Sequence, residues 1–202
     1  MKYFSIILLL LLSNSSIYSQ TVGVRKNALR TTFLSYATGS TKLSYERSVS
    51  THQSVEVTVG VIGVGYDGKN NHPRGGLFRC AYKYIINSSA SYPLNGIYFK
   101  PEFALSSFNY DAMQKSIDNE TIRQNTTMGA LLACVGYQWA KHVFTVDGFV
   151  GLGGALGKEC DTYYHHGFIL WDFFGTKCKY VSCTFGIKLG IAFGKKGVTS
   201  PP

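Results

Sequence analysis

The sequence predicts an all-β fold, an eight-stranded antiparallel up-and-down transmembrane β-barrel, on three observations. From Asn27 onward apolar residues recur with period two, the spacing of a strand that has one greasy face. Turn-rich stretches cut this pattern into eight segments, an even number, as bacterial single-chain membrane barrels have. The connections alternate short and long, which would gather tight turns and both termini at one end of a closed barrel and long loops at the other. Composition agrees. A chain that is 45% hydrophobic and 15% charged is no disordered polymer. Its 22 Gly, 14 Tyr and 13 Phe suit strands better than helices, where each interior Gly costs about 1 kcal/mol relative to Ala.

The first element, residues 1–19, reads as a secretory signal: Lys2, then an apolar stretch through Leu12, then small polar residues to Ser19. Its apolar run is too short to span a bilayer, and no run of 18 or more apolar residues follows it. The expected domains are the signal at 1–19, the barrel at 20–193 and a tail at 194–202. Within the barrel the segments fall at about 27–37, 41–49, 54–66, 75–87, 96–110, 127–139, 143–156 and 179–193. The last is the clearest, with Val181, Cys183, Phe185, Ile187, Leu189, Ile191 and Phe193 opposed to Ser182, Thr184, Gly186, Lys188, Gly190 and Ala192. The sixth opposes Leu131, Ala133, Val135, Tyr137 and Trp139 to Ala130, Leu132, Cys134, Gly136 and Gln138. The fifth sets Phe99, Phe103 and Leu105 against Lys100, Glu102, Ala104 and Ser106; the fourth sets Phe78, Tyr82 and Tyr84 against Arg79, Ala81 and Lys83. The second and third oppose Leu43, Tyr45, Val55, Val57 and Val59 to Ser44, Glu46, Glu56 and Thr58. The first segment is ambiguous in phase.

A soluble eight-stranded barrel of lipocalin type would turn the greasy face inward. Segment length argues for the membrane, since a tilted strand needs about 9–11 residues to cross hydrocarbon. So does the polar face, which mixes many Gly with charges of both signs, as a narrow packed lumen requires and a solvated outer face does not.

With the signal, the eight alternating strands, the loop asymmetry and the final strand Phe185-Gly-Ile-Lys-Leu-Gly-Ile-Ala-Phe193 in hand, the chain resembles the small outer-membrane β-barrel proteins of OmpA/OmpX type. Leu43-Ser-Tyr-Glu-Arg47 and Gly96-Ile-Tyr-Phe-Lys-Pro-Glu102 are similar to segments of barrel proteins from Bacteroidetes-type bacteria. The resemblance implies residence in the bacterial outer membrane, with membrane lipid and the barrel-assembly machinery as partners. That machinery would read the terminal aromatic residue, here Phe193, although Gly194 to Pro202 displace it from the chain end.

The polar phase collects Lys42, Glu46, Glu56, Arg79, Lys83, Lys100, Glu102, Asp147 and Lys188. Eight strands leave an interior just wide enough for side chains, so these charges are expected to pair in a structural network; a proton or ion path is the alternative. Tyr45, Tyr82, Tyr84, Tyr137, Trp139 and Phe193 lie on the greasy phase near strand ends, where an interfacial girdle is expected. In the loops 111–126 and 157–178 the aromatic residues Tyr163, Tyr164, Phe168, Trp171, Phe173 and Phe174 would pack on one another or offer a contact surface.

The envelope is oxidising, and Cys160 and Cys178 flank the seventh connection. A disulfide between them would stabilise by about 3 kcal/mol in the chain-entropy model. Two free thiols, or zinc held with His165 and His166, are the alternatives. Cys80 and Cys183 fall on the lipid-facing phase and Cys134 on the lumen phase. No spacing singles out a catalytic constellation among His52, His72, His142, His165 and His166, which read as solvated histidines of turns and loops. The phosphate-loop look of Gly151-Leu-Gly-Gly-Ala-Leu-Gly-Lys158 fails, because Leu152 stands where a Gly is needed and Glu159 follows Lys158. Asn119-Glu-Thr121 and Asn125-Thr-Thr127 fit a glycosylation pattern that carries little meaning in a bacterial envelope.

The expected role is therefore structural or interactive, through outer loops that meet an extracellular ligand, with no catalytic site, no cofactor and no nucleic acid. A lipid-modifying outer-membrane enzyme and a soluble periplasmic binding barrel are the rival readings.

Overall fold

Strands dominate the computed structural model, which describes residues 25–66, 71–89, 93–113, 121–141, 143–157, 164–171 and 181–194. In chain order they are β1 (Asn27–Thr32), β2 (Ser40–Ser48), β3 (Gln53–Ile62), β4 (Arg74–Ile85), β5 (Gly96–Met113), β6 (Thr121–Lys141), β7 (Phe144–Gly157), the short β8 (Ile169–Trp171) and β9 (Val181–Phe193). Sequential neighbours pair antiparallel from β1 through β7, and β7 then pairs with β9. β9 returns to β1, from Asn27↔Phe193 to Thr32↔Lys188. That pairing closes the sheet into an eight-stranded up-and-down barrel and leaves no free edge along the paired stretch.

Burial alternates with the pleat, and it is inverted relative to a soluble barrel. Val150 is 57% exposed and Phe185 is 62% exposed, whereas Glu46, Lys83 and Asp147 have no exposure at all. Outside, Val, Leu, Ile, Phe and Tyr side chains form a belt; inside, charges fill the barrel. The registers explain why the phase holds round the circumference: Tyr45 opposes Val57, Val55 opposes Tyr82, Phe103 opposes Leu131 and Val135 opposes Val150. A slip of one residue on any strand of the barrel but β6 would turn a charge outward.

Three features differ from the sequence expectation. The first segment does not run as a strand to residue 37: β1 stops at Thr32 and a 3-10 helix occupies Phe33–Thr38. Local hydroxyls explain the turn, since Ser35 donates to the Thr32 carbonyl and Thr38 to the Ser35 carbonyl, and Gly39 closes it at φ +76°. The fifth connection is not a 16-residue loop, because β5 and β6 stay paired to Met113↔Thr121, braced by the Arg123–Asp111 ion pair at 3.0 Å. The seventh connection holds β8, which pairs with β9 at Ile169↔Cys183, Leu170↔Ser182 and Trp171↔Val181. Cys183 sits on the outward phase, as expected, but this pairing leaves it buried rather than presented outward. The signal segment 1–19, the tail beyond Gly194 and both Cys160 and Cys178 lie outside the described residues.

Candidate functional site: the filled lumen

All nine charged side chains expected inside the barrel are buried there, and Arg30 on β1 joins them. Lys83 is the hub of the half nearest the termini. Its ammonium lies 3.0 Å from Glu46, 3.0 Å from Glu56 and 2.8 Å from Asp147, carboxylates that come from β2, β3 and β7. Arg30 donates to Glu46 and, at 3.0 Å, to the Thr145 hydroxyl. Tyr98 donates to the other Asp147 oxygen, Ser54 to Glu46, and Lys83 also to the Gln138 side chain.

Glu56 links this hub to a second group. Lys188 lies 2.5 Å from Glu56 and Lys100 lies 3.6 Å from it, while Lys100 and Arg79 both bind Glu102. Phe149, an inward aromatic residue on β7, carries the Lys100 ammonium 4.2 Å from its ring centre, with Lys188 at 5.0 Å and Arg79 at 5.5 Å. Stacking cations over a ring relieves part of the cost of crowding them in a dry interior.

The oxygens of Glu46, Glu56 and Asp147 lie within 4.8 Å of one another, close enough to hold a metal ion. Lys83 already occupies the point where those carboxylates converge, so the cluster is internally neutralised by protein. The network thus forms a cross-braced plug that ties β1, β2, β3, β4, β5, β7 and β9 together.

Sequence reading missed Arg30 and Phe149 for identifiable reasons. Arg30 lies on the strand whose phase was ambiguous, since only Leu29 and Thr31 alternate with it before the 3-10 helix begins. Phe149 is apolar on a polar phase, and nothing in the sequence marks it as a platform for cations. A Cβ at Gly136 would come within 2.5 Å of the Tyr98 ring and hydroxyl. The missing side chain is therefore what lets Tyr98 pass over β6 to Asp147. Gly136→Val is expected to destabilise the barrel by about 1–3 kcal/mol through overpacking, measurable as a lower urea midpoint for the refolded protein.

The lumen is not ionic throughout. Toward the long-loop end Ala104, Met128, Ala130, Leu132, Cys134 and Ala155 form an apolar cluster with Phe168 and Leu170 from the segment that carries β8. Ile62, Leu77, Phe108 and Tyr110 form another. His165 and His166 are not the solvated loop histidines expected: both are buried, His165 stacked on Phe168 with ring centres 5.2 Å apart and His166 edge-on to Phe108 at 5.0 Å. Residues 164–171 thus fold into the mouth of the barrel.

His52 and Ser88, at the terminal end, form a Ser–His contact of 3.0 Å, but it lacks the logic of a nucleophile and base. The same His52 nitrogen meets the Ile85 carbonyl at 3.0 Å, so it must carry the proton, and Ser88 donates its own hydrogen to the Thr51 carbonyl. His72 is exposed and faces Asp111 at 3.2 Å; His142 lies outside the described residues. Tyr45, Tyr82, Tyr84, Tyr137, Trp139 and Phe193 all face outward on the half of the barrel nearest the termini, and the Tyr45 and Phe193 ring centres are 6.5 Å apart.

No family model and no curated protein matches the chain. Among solved structures, the N-terminal β-barrel domain of Pseudomonas aeruginosa OprF is similar at 15% identity and a TM-score of 0.45, over 85% of this chain and 99% of that one.

Proposed function

We propose that the mature chain is an outer-membrane β-barrel whose lumen is sealed by its own side chains, with a structural or interaction role exerted through its outer loops. The observation that carries this reading is the inverted burial: an ion network inside and an apolar belt outside. In water, each large belt residue would forgo about 1.5–3 kcal/mol of burial, whereas hydrocarbon accepts all of them. In this orientation Asn27, Phe193 and the turn at 49–52 face the periplasm, and the 164–171 segment faces outward. The outward aromatics near the termini then lie at the inner interface, where rings with one polar edge are favoured. Phe193, last residue of β9, would present itself to the barrel-assembly machinery.

The plug argues for a closed channel: Lys83 touches three carboxylates from three different strands, so passage of a solute would have to break ion pairs buried on every side. The reading is tested by cell fractionation and by gel mobility before and after boiling. A membrane-borne protein with heat-dependent mobility is expected. Release by osmotic shock as a soluble species of constant mobility would refute it.

A further inference from the structure

We infer that the barrel carries a binding cavity for a single-chain fatty carboxylate, entered through a gap in its wall and anchored by Lys42. The inference rests on the outer-membrane reading only for the source of the ligand, the surrounding lipid.

The gap follows from the ladder. β1 leaves β9 after Thr32↔Lys188, and β8 takes up the same edge of β9 only at Cys183. Among the described residues no strand therefore lies beside residues 184–187 of β9 on that edge, and Thr184, Phe185 and Gly186 border a cavity of about 460 Å³. Its other walls come from the 3-10 helix, through Leu34 and Ala37, and from the inner ends of the long loops, through Tyr66 and Phe168. Phe33, Leu34 and Tyr36 stand exposed beside the opening, a greasy lip continuous with the belt.

Lys42 lines the same cavity and is 94% buried. Six cations and four carboxylates are buried in the lumen. Arg30, Arg79, Lys83, Lys100 and Lys188 each have an ion pair, whereas among the described residues none involves Lys42. A lysine buried in a mostly apolar cavity without an ion pair is costly to keep charged, and a carboxylate arriving beside it would offset that cost. An apolar cavity of about 150 Å³ takes one benzene, so this one has room for roughly three times as many carbons. That matches one acyl chain. A carboxylate on Lys42 with its chain lying toward Phe185 and the lip satisfies both halves of the site.

The test uses the full mature barrel in lipid nanodiscs, with heat-dependent mobility checked for every variant so that a failure of the barrel itself is seen separately. Laurate binding is measured by calorimetry, with dodecanol and inorganic phosphate as controls. Saturable laurate binding is expected, with dodecanol at least tenfold weaker and phosphate not bound. Lys42→Met should fold, since it replaces a buried amine that has no ion pair, and should weaken laurate at least tenfold while leaving dodecanol unchanged. Ala37→Trp, at the cavity wall, should weaken both. Absence of saturable laurate binding by the folded barrel, laurate affinity unaltered in Lys42→Met, or phosphate binding equal to laurate would each overturn the inference.

Discussion

Lys83→Met is expected to be the most damaging single change to the barrel, lowering its unfolding free energy by about 3–5 kcal/mol. The substitution keeps the length of the side chain and removes the one ammonium that sits within 3.0 Å of Glu46, Glu56 and Asp147 together. Glu46 retains Arg30, and Glu56 retains Lys188 and Lys100. Asp147 is left with the Tyr98 hydroxyl and with Arg30 at 4.0 Å, too far to replace a contact of 2.8 Å. The loss thus falls on a carboxylate stranded in the lumen rather than evenly over the network. Adding Asp147→Asn should recover most of it, because the amide oxygen still accepts from Tyr98 while the orphaned charge is gone. Urea unfolding in lipid vesicles measures both variants. A single variant within about 0.5 kcal/mol of the parent would show that the plug contributes little to stability.

Val150→Arg should cost about 2–4 kcal/mol and lower the yield of folded barrel, since charge on the lipid face is most expensive at the bilayer midplane. Val150 is central in β7, opposite Val135 on β6 and Phe185 on β9, so its surroundings are apolar on both sides. The same change on the water-exposed surface of a soluble barrel would fall within about 0.5 kcal/mol of neutral. The measurement therefore separates the two settings by energy alone. A Val150→Arg protein that folds in lipid as well as the parent would place this face in water.

Strand phase was legible in the sequence because it depends on local alternation alone. Val57, Leu131 and Phe185 face out, and Glu46, Lys100 and Lys188 face in, for no reason beyond the period of a pleat. The same alternation put nine charged residues on the phase that is buried. It could not say which charge meets which, because Lys188 and Glu56 are 132 residues apart and only the closing pairing of β1 with β9 makes them neighbours. Nor could it show that Lys42 has no ion pair among the described residues, since that is a property of distances across the lumen. The end of β1 at Thr32 was hidden for a related reason. Side-chain hydroxyls bonding to carbonyls three residues back compete with the ladder there, and the sequence does not reveal which wins. Among the described residues that early turn, with β8 returning too far along β9 to fill the space, leaves the wall open. The sequence by itself determined a barrel with its charges inside; the tertiary structure decided how those charges are paired and where the wall is incomplete, because both depend on contacts between residues far apart in the chain.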